Sequence, residues 1–396
     1  MKIDADVQES PARVEHLLPT VAPHVAQVLE RAMAGHELSR DEGLVLAELT
    51  DSGEVEALAA VADYVRREVK GDTITYVVNR NINFTNVCFI GCKFCSFSTS
   101  SRADDAYNLS FEEIARRTVE AHEIGATEVC VQGGLPRGLD PFYYRDILRT
   151  IKDAVPDMHT HAFSPMEMTY GTELTDMSLH DYLQMLKDNG LDTLPGTAAE
   201  VLDDDVRYVL SRKKVTVKQW TNVVRTAHQL GIPTTSTMMY GHVEAPEHWV
   251  KQLSLLRDIQ KETGGFTEFV PLGFVHTNTD LFKTGIARPG PTADESVKMH
   301  ALARLMLRGW IDNIQVSWVK LGRKLSQRCL QAGANDFGGT LMDENISRLA
   351  GATAGQYMPP QEFRQLIREI GRVPAERTTT YTIRQMFDAA MDEAPV

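Results

Sequence analysis

The sequence has no long apolar run, few cysteines and no excess of positive charge. Asp and Glu number 54 against 41 Lys and Arg, which gives a formal net charge of −13. Nucleic-acid binding depends on clustered cations, and the longest basic cluster here is only Arg212–Lys214. No stretch is long and apolar enough to span a bilayer, and the start, MKIDADVQES, has no apolar secretory core. These absences predict a cytoplasmic protein that binds neither nucleic acid nor membranes.

Three of the five cysteines fall within eight residues, in the segment NVCFIGCKFCSF. In a reducing compartment such a cluster is typical of metal binding rather than of disulfides. Cys88, Cys92 and Cys95 have the spacing Cys-x3-Cys-x2-Cys, which suits three irons of a 4Fe–4S cluster and leaves the fourth iron open. Zinc is the alternative, but a closed zinc site needs four ligands, and the next histidine, His122, lies well outside the segment. We therefore expect one 4Fe–4S cluster.

The other two cysteines, Cys130 and Cys329, have no partner cysteine at ligand spacing. Each stands in an apolar stretch of sequence, and unpaired cysteine is often buried. Both are expected to be buried structural residues, so a second cluster is not predicted.

The chain is predicted to be an α/β protein with a (β/α)8 barrel. From Gly71 to about Gly355, short apolar segments alternate with longer amphipathic ones. The segments that we interpret as strands are NINFTNV, ATEVCVQGG, MHTHAFSP, LDTLPGT, PTTSTMMYG, TEFVPLGFV, DNIQVSWVK and NDFGGTL. Eight strand–helix repeats of this length are typical of such a barrel, although strand count alone also allows an open doubly wound sheet.

Three regions are expected along the chain. Residues 1–70 carry apolar residues at three- and four-residue spacing and are predicted to form a helical N-terminal extension. Residues 71–355 would be the barrel. Residues 356–396 would be a short C-terminal extension with a strand and a helix, of unknown purpose.

Several polar residues follow the predicted strands, where a (β/α)8 barrel carries its chemistry. A lone histidine is more often structural than catalytic, but three histidines at the ends of strands should face one barrel mouth. A histidine of near-neutral pKa is suited to accept a proton. Asn335 and Asp336 are candidates for binding polar groups of a substrate. The predicted catalytic residues are His161, Tyr240, His242 and His276.

The spacing Cys-x3-Cys-x-aromatic-Cys after the first strand resembles the signature of the radical S-adenosylmethionine (SAM) superfamily. The resemblance implies that SAM is a second cofactor, chelated through its amine and carboxylate to the open iron. The alternative for Gly133 and Gly134 is a tight turn, and the alternative for Glu200 and Arg207 is a surface ion pair. The residues that the resemblance assigns to SAM binding are Phe94, Gly133, Gly134, Ser164, Glu200 and Arg207.

The resemblance extends to the CofH family, which forms the tyrosine-using half of deazaflavin (FO) synthase. It covers about Asn79 to Ala352, in the motifs NINFTNVC, VCVQGGLPRGLD, HAFSPMEMTYG, LPGTAAEVLDDDVR, STMMYGHVE, GGFTEFVPLGFVH and GANDFGGTLMDENISRLAGA. It implies a transferase that cleaves the Cα–Cβ bond of L-tyrosine and adds the 4-hydroxybenzyl group to 5-amino-6-(D-ribitylamino)uracil. It also implies CofG as a functional partner and an electron donor of the ferredoxin or flavodoxin type.

Two other hypotheses remain open at this point. One is a radical SAM reaction of the MqnE or MqnC type, in menaquinone biosynthesis, which would use the same cysteine loop on a chorismate-derived substrate. The other is a metal-binding module without catalytic activity, which an open coordination site on a barrel disfavours.

Overall fold

The computed structural model describes residues 11–388. Strands β1 to β9 are Thr73–Val77, Asn79–Asn83, Glu128–Gln132, His159–Ala162, Thr234–Tyr240, Phe266–Gly273, Asp336–Gly339, Val373–Arg377 and Ile383–Met386. Helices α1 to α16 are Pro11–Leu17, Pro23–Met33, Arg40–Ala47, Ser52–Lys70, Phe111–Glu123, Tyr143–Ala154, Pro165–Thr175, Leu179–Asp188, Asp204–Leu210, Val217–Gln229, Pro246–Thr263, Asp280–Lys283, Ala293–Leu307, Trp318–Leu330, Ile346–Ala350 and Pro360–Glu369. The outer ends of both predicted extensions, residues 1–10 and 389–396, lie outside the described residues.

The strands close into a ring of eight parallel positions. Strands β2, β3 and β4 pair side by side, β5 pairs with β6, and β7 pairs with β1, which continues into β2. Single bridges complete the ring: Thr193 and Leu194 join β4 to β5, and Ile314 and Gln315 join β6 to β7. The predicted barrel is confirmed and the open sheet is wrong. Two predicted strands, LDTLPGT and DNIQVSWVK, are reduced to these bridges.

The interior of the barrel is polar. On β3, Val129 and Val131 belong to the apolar layer beneath the helices, so the alternate residues Glu128, Cys130 and Gln132 point into the barrel. The thiol of Cys130 accepts a 3.6 Å hydrogen bond from the side-chain amide of Gln132. The predicted apolar, buried setting is therefore wrong for Cys130, which is half-buried, although it holds for the fully buried Cys329.

Helices begin where the sequence offers side-chain acceptors. Ser110 caps α5, because its hydroxyl accepts the N–H of Glu113 at 3.2 Å. Asp140 does not cap α6: its carboxylate accepts the N–H of Phe142 in a turn, and α6 begins only at Tyr143. An acceptor side chain can thus stabilise a turn that precedes the helix.

Helices α1 to α4 pack on the outside of the barrel, against α11 and α13. Two buried cations fasten this layer through main-chain carbonyls: Arg257 donates to Leu38 at 2.8 Å, and Lys298 donates to Leu49 at 2.8 Å. Residues 11–70 therefore carry the predicted helices. Among the described residues, no helix is long and apolar enough to cross a membrane.

The C-terminal segment plugs the base of the barrel. Helix α16 is followed by a hairpin in which β8 runs parallel to β1 and β9 runs antiparallel to β8. The guanidinium of Arg377 binds the carboxylate of Asp336 at 2.5 and 2.9 Å, and the hydroxyl of Tyr381 donates to Glu268 on β6. Because β1 pairs with β8 at the start of the first barrel strand, this network closes the end opposite the predicted mouth.

Candidate active site

The three clustered cysteines lie on one loop that follows β2. The loop is held by its main chain: the N–H of Cys88 donates to Thr99 at 3.1 Å, and the N–H of Lys93 donates to Leu210, the last residue of α9, at 3.0 Å. A further bond of 3.1 Å joins the N–H of Cys95 to the carbonyl of Cys92. All three thiols are free and half-buried, so the loop presents them together at the barrel mouth.

The thiols suit an iron–sulfur cluster rather than a single ion. Across residues 11–388, no group of three or more His, Cys, Asp or Glu side chains is arranged to hold a metal ion. In a cubane cluster each cysteine binds a different iron, so the thiolates need not converge on one point. Burial raises the pKa of Cys92 to about 11, against the opposing effects of Lys214 and Ser211. Iron binding would therefore displace protons from these thiols.

Gly133 and Gly134 bring the end of β3 against this loop. A Cβ on Gly134 would overlap the carbonyl of Val87 and touch Cys88, and one on Gly133 would lie 2.6 Å from the ring of Phe84. Neither glycine has a positive φ. Close packing, and not a tight turn, therefore requires glycine at these two positions.

Glu167 joins the glycine pair to helix α7. One carboxylate oxygen accepts the N–H of Gly133 at 3.1 Å, and the other accepts the N–H of Ser164 at 2.5 Å. The hydroxyl of Ser164 in turn accepts the N–H of Glu167, which completes a capping box. Burial raises the pKa of Glu167 to about 7, although these N–H groups oppose the rise. Sequence reasoning missed Glu167, but the spacing Ser-x-x-Glu before an apolar run indicates such a box.

A buried ion pair stands beside the cysteine loop. Glu200 follows the fourth strand position of the barrel, which is formed by the bridges at Thr193 and Leu194. Its φ is +39°, and its carboxylate pairs with the ammonium of Lys214. That ammonium also lies 4.8 Å from the centre of the Phe94 ring. Burial opposes ionisation of Glu200, but Lys214 outweighs burial, so the pKa of Glu200 falls below its ordinary value. The structure thus groups Phe94, Glu200 and Lys214, and only the last was not predicted.

Arg207 has a different role from the predicted one. Its guanidinium is buried, and all five of its N–H groups are directed at main-chain carbonyls. The acceptors are Ala198, Ala199, Val201 and Val215. No donor is left for the carboxylate of SAM, so the predicted contact is corrected: Arg207 fixes the segment that presents Glu200.

Neither Tyr240 nor His242 is placed to act as predicted. Tyr240 points away from the barrel interior, and His242 has no free ring nitrogen. Tyr240 is fully buried beneath the helices, with its ring 5.9 Å from that of Trp249, so its assignment is wrong. His242 is buried, and its Nε2 donates to the carbonyl of Met239 at 3.0 Å while its Nδ1 accepts the N–H of Val243 at 2.7 Å. Burial lowers the pKa of His242, although Glu244 opposes this. His242 therefore has no nitrogen free to take a proton from a substrate.

Of the predicted catalytic residues, His161 is the one with a free ring nitrogen inside the barrel. It lies on β4 beside Cys130, and its Nδ1 contacts the hydroxyl of Thr193 at 2.8 Å. Among the described residues nothing bonds its Nε2. Burial lowers its pKa to about 4, against the effect of Glu128, so the ring is neutral at physiological pH. His276 lies further out, on the loop after β6, with its ring 4.5 Å from that of Phe282.

Asn335 and Asp336 are at the opposite end of the barrel from the mouth. The side-chain oxygen of Asn335 accepts from Arg304 and from the N–H of Ile314, at 2.7 and 2.9 Å. Asp336 is bound by Arg377, as described above. Their predicted contact with substrate is therefore corrected to a structural role at the barrel base.

The closed barrel, with a three-cysteine loop after its first strand, defines the radical SAM class of enzymes. Family models agree: residues 82–256 match the Radical SAM superfamily, and residues 263–390 match the CofH/MqnC C-terminal region. Solved structures with the same fold include methylornithine synthase (PylB), with a TM-score of 0.69 at 18% identity over 88% of this chain and 97% of that one. The hydrogenase maturase HydG has a TM-score of 0.70 at 16% identity, over 96% of this chain and 82% of that one.

Curated relatives are much closer in sequence. The 5-amino-6-(D-ribitylamino)uracil–L-tyrosine 4-hydroxyphenyl transferase of Methanocaldococcus jannaschii is 49% identical over 88% of this chain and 97% of its own length. The FO synthase of Mycobacterium tuberculosis is 50% identical over 96% of this chain, but only 44% of its own length. This chain thus spans less than half of the FO synthases that it matches. It belongs to the CofH family of radical SAM enzymes.

Proposed function

We propose that this enzyme cleaves the Cα–Cβ bond of L-tyrosine and transfers the 4-hydroxybenzyl group to 5-amino-6-(D-ribitylamino)uracil, with release of 2-iminoacetate. The observation that carries the proposal is the 49% identity to a transferase of that name along 97% of its length. The product would be a precursor of deazaflavin, which a CofG enzyme would complete.

The radical SAM family works with a 4Fe–4S cluster and SAM, and here Cys88, Cys92 and Cys95 would hold the cluster. Bound together, these cofactors supply the one-electron chemistry that removes a hydrogen atom from the substrate. The chain itself would position SAM. Lys214 offers a cation for the carboxylate of SAM, Glu200 an anion for its amine or ribose, and Phe94 an aromatic edge for adenine.

The interior of the barrel would bind the substrates and exclude water. Glu128, Gln132 and His161 line it with hydrogen-bonding groups that suit a uracil and a ribityl chain. His161 has a free nitrogen inside the barrel, so it is the residue that we propose to accept a proton from the tyrosine ammonium. With a pKa of about 4, it is a weaker base than the near-neutral histidine that the sequence predicts. His276, on the loop after β6, remains a candidate at the rim.

The electron would come from a small acidic carrier of the ferredoxin or flavodoxin type. A groove of about 330 Å3 lies beside the cysteine loop and is lined by Lys93, Arg212 and Lys213, with no carboxylate among its lining residues. Such a basic groove is unusual on a chain with a net charge of −13. Opposite charge would guide an acidic carrier to the loop that holds the cluster.

An anaerobic assay tests the proposed function. Reconstituted enzyme would receive L-tyrosine, the ribitylaminouracil, SAM and dithionite. We expect both substrates to be consumed, 5′-deoxyadenosine and a 4-hydroxybenzyl–uracil adduct to form, and glyoxylate to appear as 2-iminoacetate hydrolyses. Addition of CofG should then give fluorescent deazaflavin. Formation of 5′-deoxyadenosine without any adduct, and turnover instead of a chorismate-derived ether, would move the enzyme to the MqnE type.

A further inference from the structure

Lys320 is a cation at the barrel mouth that the proposed SAM site does not use. The seventh strand position of the barrel is formed by the bridges at Ile314 and Gln315 and lies between β6 and β7. Lys320 follows it, in the first turn of α14, which begins at Trp318. Helix α14 thus starts at the C-terminal edge of the strands, where barrel enzymes bind substrate. Trp318 fixes this turn, because its indole N–H donates to the carbonyl of Gly339 at 2.9 Å.

Lys320 lies in a single helical turn that is separate from the rest of α14. Gly322, at φ 72° and ψ 171°, breaks the helix directly after residues 318–321. The side chain of Lys320 is half-buried, and within residues 11–388 no hydrogen bond or ion pair holds its ammonium. Partly buried ammonium groups are usually paired, since desolvation of an unpaired charge is costly. Lys320 therefore has the features of a residue whose partner arrives with a ligand.

Two carboxylates act on this cation through their charge. Burial lowers the pKa of Lys320, while the charges of Glu344 and then of Glu200 raise it. Glu344 follows β7, and both of its oxygens accept the N–H of Ser347, at 3.0 and 3.1 Å. The anion of Glu344 and the cation of Lys320 are together complementary to the two charges of a zwitterionic amino acid.

We propose that the ammonium of Lys320 binds the α-carboxylate of the amino-acid substrate. The assignment rests on the proposed function, in which that substrate is L-tyrosine. SAM also has a carboxylate, but Lys214 already stands beside Cys92 and Phe94, where SAM would chelate the cluster. The two lysines would thus divide the two carboxylates between the strand-four and strand-seven sides of the mouth.

Binding without turnover tests this assignment. Cluster-reconstituted enzyme with SAM and no reductant would be titrated calorimetrically with L-tyrosine and with tyramine, which lacks the carboxylate. Lys320→Met should weaken L-tyrosine binding roughly tenfold to hundredfold, the range expected for a lost charge-assisted bond, and should leave tyramine unchanged. Lys320→Arg should restore part of the loss. Lys324→Met, on an exposed residue beyond the break in α14 at Gly322, should change neither affinity.

The contrary outcomes are distinct. Equal affinity of the wild type and Lys320→Met for L-tyrosine, or equal losses for tyrosine and tyramine, would overturn the assignment. So would a loss of SAM binding with tyrosine binding intact. If Lys320→Met fails to assemble a cluster, Lys320→Gln provides the same comparison. Failure of the wild type to bind tyrosine at all would instead overturn the proposed substrate.

Discussion

The carboxylate of Glu167 accepts the backbone N–H of Gly133 at 3.1 Å and thereby ties helix α7 to the end of β3. Its other oxygen is bound to Ser164. The next residue, Gly134, packs directly on Val87 and Cys88. Glu167 is therefore connected to the cysteine loop through Gly133 and Gly134. It also caps the start of its own helix, α7. A single buried carboxylate thus stabilises the wall on which the proposed cluster would rest.

Removal of this carboxylate should loosen the cysteine loop. Glu167→Ala leaves two buried N–H groups without acceptors, and each such loss costs about 1–3 kcal/mol. We expect a lower free energy of unfolding in denaturant and faster loss of iron to a chelator. Glu167→Gln keeps one acceptor oxygen and should be intermediate. Wild-type stability and iron retention in Glu167→Ala would contradict this role.

The same residue should make stability depend on pH. The pKa of Glu167 in the fold, about 7, lies above its ordinary value of 4.5, so folding favours the protonated form. Its contribution is fully present below about pH 4.5 and declines as the pH rises to 7. The difference in unfolding free energy between the wild type and Glu167→Gln should therefore change across that window and level off above it. A difference independent of pH would show that Glu167 is ionised throughout.

The cluster assignment predicts a contrast between cysteines. Reconstituted wild-type protein should contain about four irons and four sulfides, as expected for one cubane. Cys92→Ala should abolish cluster assembly, as should the same change at Cys88 or Cys95. Cys130→Ala is the matched control, because Cys130 faces the barrel interior away from the loop, and it should keep the cluster. A normal 4Fe–4S spectrum in Cys92→Ala would refute the assignment.

Substitutions of Arg207 and of Lys214 should have different effects, the first on thermal stability and the second on SAM affinity. Arg207→Ala leaves the carbonyls of Ala198, Ala199, Val201 and Val215 without this donor, so a fall in thermal stability is expected. Lys214→Met removes the cation beside Phe94, so a loss of SAM affinity is expected, and the double change with Glu200→Gln avoids an unpaired buried anion. Calorimetric SAM titration and thermal melts separate the two. Undiminished SAM affinity in the double variant would exclude Lys214 from the SAM site.

Much of the fold was predictable, because short apolar segments that alternate with longer amphipathic ones indicate a (β/α)8 barrel. The cysteine loop was equally accessible, since its three residues are neighbours in sequence. Side-chain direction was not. Met239 and Tyr240 are adjacent on β5 and point to opposite faces, so a shift of one residue in register moves a residue from the interior to the helix layer. A strand end therefore predicts the mouth of the barrel, but not which residue there faces it.

Buried charge was the second obstacle. Arg207 and Lys214 both follow Glu200 within 14 residues, and sequence cannot decide which of two cations bends back to pair with it. Arg377 lies some 40 residues from Asp336 and completes the barrel base from a tail whose purpose was not predictable. Both contacts are set by tertiary packing, which no local pattern encodes.

The groove beside the cysteine loop predicts how the electron donor binds. Lys213→Glu reverses a charge in the groove, so reduction of the cluster by reduced flavodoxin should slow several-fold at low salt, and the difference should shrink as ionic strength rises. Reduction by dithionite should be unchanged, because a small ion needs no docking surface. Lys218→Glu, exposed on α10 and outside the groove, is the control. Equal rates with flavodoxin for all three proteins would exclude this surface.

His161 should matter for adduct formation and not for the cluster. Its neutral ring can accept a proton, and a general base contributes roughly 10²–10⁴-fold, so His161→Ala should lower the rate of adduct formation within that range while iron content stays normal. His242→Ala is the comparison: both ring nitrogens of His242 bond to the main chain, so its loss should appear mainly in thermal stability. Because the pKa of His161 is about 4, its ring stays neutral from pH 8 down to about 5 and begins to be protonated only below that, where adduct formation should fall. A rate in His161→Ala equal to that of the wild type, with His242→Ala impaired instead, would transfer the proton-accepting role to His242 and require that side chain to leave its main-chain bonds.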